Sequence, residues 1–171
     1  MALAPSQHRT LLTLLLGATL ALSGCGVQQS GAAAIVNDTV ISDQDVQSVS
    51  DQLNKLAQGG QQLRMSDVLL SLILEPYVLA EAKRAGKTVS VSQARKVIAK
   101  VPDPSPATIE FVQMQLAIQQ LDQASKTSIV NQIGKVKVTV NPRYGTFDAK
   151  QIALTPISPS WIKTSAPPVV K

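Results

Sequence analysis

The sequence predicts a mainly α-helical domain of four to five helices, with a small two-stranded β element pairing the first and last strands of that domain. Three observations carry this expectation. Apolar residues recur at three- and four-residue spacing through the middle of the chain. The aromatic residues are only Tyr77, Phe111, Tyr144, Phe147 and Trp161, so the core must be built from Leu, Val, Ile and Ala, which favours helices packed on helices over a sandwich. Two β-prone segments, 34–41 and 135–140, stand at opposite ends of the helical stretch.

The elements can be justified in order. Ile35, Val36, Val40 and Ile41 flank the turn-prone pair Asn37-Asp38, which reads as a short strand or hairpin. Ser42 is then a helix N-cap with Asp45 at the N3 position, a variant of the capping box, and Ile41 with Val46 can close a hydrophobic staple. Val46, Val49, Leu53 and Leu56 mark one stripe, ended by Gly59-Gly60. A second helix starts near Ser66 and runs to Gly86, a good C′ residue. Its stretch from Val68 to Leu74 is apolar nearly all round, as in a central helix. Pro76 lies inside it and either kinks a core helix or forms a hinge that opens a groove.

Ser90 and Gln93 form another capping box, with Val89 at the staple position, and open a short basic helix. Arg95, Lys96 and Lys100 there lie close in sequence to Lys83, Arg84 and Lys87, giving either a solvated face or a contact surface for anions. Pro102, Pro104 and Pro106 prohibit continuous helix, and Ser105-Pro106 is a suitable N-cap and N1 pair for a fourth helix. Ile109, Val112 and Leu116 mark one stripe of that helix, and Phe111, Met114, Ile118 and Leu121 a second. Val136, Val138 and Val140 alternate with Lys135, Lys137 and Thr139, a strand with one wet face. Residues 149–171 read as a disordered Ser/Pro-rich tail.

The start of the chain has a different character. Arg9 and His8 precede LLTLLLGATLAL, an apolar run too short to span a bilayer, which makes a secretory signal over residues 1–24. The exit, Leu22-Ser23-Gly24-Cys25, resembles a bacterial lipobox. That resemblance implies cleavage before Cys25, acylation of its thiol, and a lipid-anchored protein on the extracytoplasmic face of the cell membrane. Two acyl chains give stable anchoring where one gives only a marginal hold. Residues 25–32 would be the lipidated cysteine and a flexible leash.

Composition narrows the function. Cys25 is the only cysteine and His8 the only histidine, so the mature chain has no Ser-His-Asp or Cys-His catalysis and lacks the usual zinc ligands. No Gly-rich phosphate loop is present. The reading is therefore a non-enzyme with no cofactor and no metal. The net charge of +5 is a mild excess, better suited to anionic lipid or wall polymer than to nucleic acid, for which the stacking rings are missing.

AAIVNDTVISDQDV followed by LILEPYVLAEAKRAGKTVSVSQA resembles the N-terminal chaperone domain of the SurA, PrsA and trigger-factor group of secreted folding factors. The closing VTVNPRYGTFD, combined with the lipobox, is similar to the lipidated actinobacterial branch of that group. The resemblance covers roughly residues 33–148. Members usually insert a parvulin-type prolyl isomerase domain of about a hundred residues before the return strand. This chain has neither the room nor the histidines for it. The resemblance thus implies binding of unfolded polypeptide without isomerase activity.

The expected function is that of a membrane-anchored, ATP-independent holdase for secreted or unfolded polypeptides. Leu72, Tyr77, Phe111 and Met114 are the candidate contact residues, Met and aromatic side chains being adaptable at promiscuous surfaces. The net positive charge is expected to disfavour cationic clients. The alternative is a non-catalytic envelope adaptor, the same fold bound to one folded partner.

Overall fold

The computed structural model describes residues 31–57 and 60–157. Their order is β1 (Ala32–Val36), β2 (Thr39–Ser42), α1 (Asp43–Asn54), α2 (Met65–Arg84), α3 (Val91–Val97), α4 (Pro106–Gln120), α5 (Gln123–Ile133), β3 (Val138–Val140), a 3-10 turn (Pro142–Tyr144), β4 (Thr146–Asp148) and β5 (Ala153–Thr155). The domain is mainly helical, as expected. The β element is larger than the expected two strands: β1 lies between β2 and β3 in one antiparallel sheet, and β4 pairs with β5 in another.

The first and last expected strands do pair, with Val36 opposite Val138 and Ala34 opposite Val140. The third strand exists because the 34–41 segment folds back on itself. Asn37 takes φ +53° at the turn, a conformation its short polar side chain tolerates. Its backbone N–H donates to the Lys137 carbonyl at 2.8 Å, locking the turn to β3 as well.

Local chemistry explains most helix ends. Ser42 Oγ accepts from the Asp45 N–H at 3.0 Å and donates to its carboxylate at 2.6 Å. Ser90 and Gln93 form a full capping box. Ser105 caps α4 with Pro106 at N1, and Asp122 caps α5 by accepting from the Ser125 N–H at 2.8 Å. At the end of α2, Gly86 adopts φ +69°, and Lys87 donates to the Ala82 carbonyl while Gly86 donates to that of Lys83. This is a Schellman motif, and it needs the glycine. By contrast, α2 begins without a side-chain cap.

Two helical expectations need correction. First, α1 stops at Asn54, before Leu56, which is 37% exposed. The Asn54 side chain turns to the backbone of Leu63, accepting from its N–H at 2.7 Å and donating to its carbonyl at 3.0 Å. Of the expected Gly59-Gly60 stop, Gly59 lies outside the described residues. Second, Leu121, counted in the second stripe of the fourth helix, is instead its C-cap and extended, and α5 follows from Gln123.

The core sits around α2, which packs against α1, α4, α5 and β1. Val68, Leu69, Ile73 and Val78 on it are wholly buried, meeting the expectation for a central helix. Helix α2 is continuous through Pro76. Burial of such side chains stabilises by about 1.5–3 kcal/mol each.

The carboxyl end of the domain closes on its amino end through NPRYG. The Asn141 side chain donates to the Ala32 carbonyl at 3.2 Å, and its backbone N–H to that of Ala33 at 2.9 Å. Tyr144, 5% exposed, donates its hydroxyl to Asp43 at 2.9 Å. Arg143 pairs with the same carboxylate at 3.1 Å and lies over the Tyr144 ring. Gly145 has φ +113°, and a Cβ there would overlap the Thr155 carbonyl, so this turn requires glycine. The β4–β5 hairpin carries ordered chain into the segment expected to be a disordered tail from residue 149. Its turn is held by Asp148, whose carboxylate accepts from the N–H groups of Lys150 and Gln151. Residues 158–171 lie outside the described residues.

Candidate functional site

Strand β2 is an outer strand, and among the described residues its far side has no strand partner. An outer strand offers unpaired backbone N–H and C=O groups. Beside it, α2 and α4 leave a groove of about 610 Å³. That volume suits a few side chains of a ligand.

The floor is apolar. Val36 and Leu72 are 6% and 5% exposed, and Tyr77 is half-buried. The rim is open: Val40 is 43% exposed, and Pro76 and Ala80 are exposed. Pro76 has no N–H, so the Leu72 carbonyl lacks the donor that an ordinary helix would supply.

Three carboxylates line the same groove from three elements: Asp45 from the first turn of α1, Glu75 from α2 and Glu110 from α4. Burial, followed by the nearby charges of Glu110 and Asp45, pushes the Glu75 carboxyl up to about 7. A half-buried carboxylate beside like charges holds its proton more tightly. Asp45 is engaged with Ser42 as a cap. Among the described residues no Lys, Arg or His lines the groove. The local charge is therefore opposite in sign to the net charge of the chain.

The structure brings Leu72 and Tyr77 together in this groove. Phe111 and Met114 are core residues like Leu72, but unlike it they do not line the groove. The correction has a packing reason. Helix α4 lies against α1, α2 and α3, and three neighbours consume the broad apolar face that the sequence displays. Cys25, the signal at 1–24 and Trp161 in the tail lie outside the described residues.

Lys83, Arg84, Lys87, Arg95, Lys96 and Lys100 are all exposed. Arg84 pairs with Glu81, itself 4% exposed, and holds that carboxyl below its ordinary range, with Ser128 adding a hydrogen bond from α5. Among the described residues no group of His, Cys, Asp and Glu could hold a metal ion, and no helix is long and apolar enough to cross a membrane. Sequence reasoning missed Val40, Glu75 and Glu110 as site residues. Glu75 and Glu110 have no shared spacing that would announce them, because tertiary packing alone brings them together. Comparison with known proteins finds no matching family model, no matching curated protein and no matching solved structure.

Proposed function

We propose that the protein is a non-catalytic, lipid-anchored extracytoplasmic chaperone that holds unfolded or secreted polypeptides without nucleotide. The observation that carries this reading is the open groove, with an apolar floor of Val36, Leu72 and Tyr77 beside an outer strand edge. An extended chain has the two things this groove receives: apolar side chains and unpaired backbone groups. Addition of a strand to a sheet edge is a general mode of peptide capture. The resemblance of the capped-helix order and of NPRYG to the SurA and PrsA group supports the same reading, and the lipobox at Cys25 supports anchoring.

The test uses the chain from residue 26 onward, without lipid, mixed with several unrelated denatured proteins at stoichiometric ratio. Suppression of light scattering across those clients without ATP is the expected result. Failure with all of them, together with copurification of one folded partner from the envelope, would replace the chaperone by the adaptor. Cys25→Ala should release the protein from the membrane fraction with an unchanged thermal melt; retention in the membrane would overturn the anchor.

A further inference from the structure

We infer that the groove beside β2 takes an extended polypeptide segment with a lysine or arginine among apolar side chains, added as a strand on the outer edge of β2; the assignment rests on the polypeptide-binding reading of the same groove.

Three features choose this occupant. Among the described residues the far side of β2 has no strand partner, so a bound segment can complete its backbone hydrogen bonds. Alternate side chains of an extended segment point to one face. Those facing the protein would meet the apolar surface of Leu72 and Tyr77. The third feature is charge. The ion pairs among the described residues are Arg64–Asp67, Arg84–Glu81 and Arg143–Asp43, none of which neutralises Glu75 or Glu110. A purely apolar occupant would strip water from these carboxylates and return nothing, whereas an ammonium or guanidinium group supplies the missing counter-charge.

A second copy of the chain presenting this face would bring the same acids and repel. The expectation that net positive charge disfavours cationic clients is thereby reversed at the groove itself. The other groups facing Glu75 are Asp45 from α1 and Glu110 from α4, while α5 brings only the neutral Gln132. Because Glu75 holds its proton up to about pH 7, a cation must displace that proton below neutrality. Affinity for the cationic segment therefore rises with pH through this range.

The experiment is fluorescence anisotropy with the full chain and three labelled peptides of about ten residues. Each alternates Val or Leu with Thr and differs only at the centre: Lys, Gln or Glu. The Lys peptide should bind about tenfold tighter than the Gln peptide at pH 8, and the Glu peptide more weakly than either. Most of the Lys preference should be lost at pH 6. The double variant Glu75→Gln, Glu110→Gln should abolish the preference of the groove for the Lys peptide over the Gln peptide. N-methylation of alternate backbone nitrogens should weaken the Lys peptide at least tenfold if it binds as a strand.

Equal affinity for the Lys and Gln peptides would overturn the cation assignment while leaving polypeptide capture standing. Binding of the Lys peptide alone would keep the cation assignment and overturn capture of unrelated clients, and failure of all three would remove both. A preference that survives the double variant would place the cation elsewhere, and indifference to N-methylation would remove the added strand. The chain's own residues 158–171 include Lys163 and Lys171 and no acid. Truncation after Ile157 that tightens all three peptides alike would make that segment the occupant and overturn the proposal.

Discussion

The two ends of the β1–β2 hairpin treat their polar groups in opposite ways. At the clasp, Asp43 receives both Tyr144 and Arg143, and Asn141 reaches the Ala32 carbonyl. In the groove beside β2, Glu75 and Glu110 have no ion pair among the described residues and an apolar rim stays open. Both regions carry carboxylates close to the same sheet. The difference shows how to separate a fastening from a site: a fastening satisfies its charges internally, and a site leaves them for something else. Unsatisfied charge costs stability, so its presence beside a well-paired region is informative.

Substitutions can break or sharpen that contrast. Gly145→Ala should have the largest effect, destabilising by about 3 kcal/mol because it combines a left-handed φ with overlap on the Thr155 carbonyl. Chemical denaturation measures it, and a loss below about 0.5 kcal/mol would contradict the strained turn. Tyr144→Phe should cost about 1–2 kcal/mol, since it removes the hydroxyl that Asp43 accepts while Arg143 stays.

Glu75→Gln should act in the opposite sense. The folded carboxyl titrates near 7, above the ordinary 4.5, so the folded protein binds the extra proton between those values. Stability therefore falls as pH rises from about 4.5 to 7, and is lowest, on this account, above 7. The neutral variant should be more stable by about 1 kcal/mol at pH 8 and unchanged at pH 4, after allowance for the partial solvent screening of the groove. Paired urea titrations at the two pH values decide the sign. Val40→Ser should be smallest in stability, within about 0.5 kcal/mol, because the side chain is already 43% exposed. It should nevertheless reduce suppression of client aggregation, and a variant that holds clients as well as the parent would remove Val40 from the groove's working surface.

What was legible in the sequence was largely local. Ser42, Ser90, Ser105 and Gly86 announce helix ends through contacts three to five residues away, and the structure has them in those roles. The break at Leu121-Asp122 was harder to see because Leu121 continues an apolar stripe; the useful signal was Asp122 three residues before Ser125. The β4–β5 turn hides for another reason: it places Ile152 at φ +49°, where turn statistics expect glycine or asparagine. Phe111 and Met114 show the limit of composition. Their chemistry suits a promiscuous surface, but which side of α4 stays uncovered depends on how many helices pack on it. The acidic groove is wholly tertiary, drawing one carboxylate from each of three helices, against the grain of the net charge.

The clasp also has a kinetic consequence. Its contacts join residues very far apart in the chain: Asp43 with Tyr144 and Ala32 with Asn141 are 101 and 109 positions apart. Closing such loops is entropically slow, whereas the helices between them are built from near neighbours. In a chain that emerges amino end first, β1 and β2 leave early and wait for the whole helical middle before β3 arrives. The strand that closes the sheet thus follows every helix in order of synthesis, and a nascent chain cut short before Val138 lacks β3 and leaves a second edge of the sheet open. Arrival of β3 and the NPRYG turn, more than formation of any helix, is the event that seals this fold.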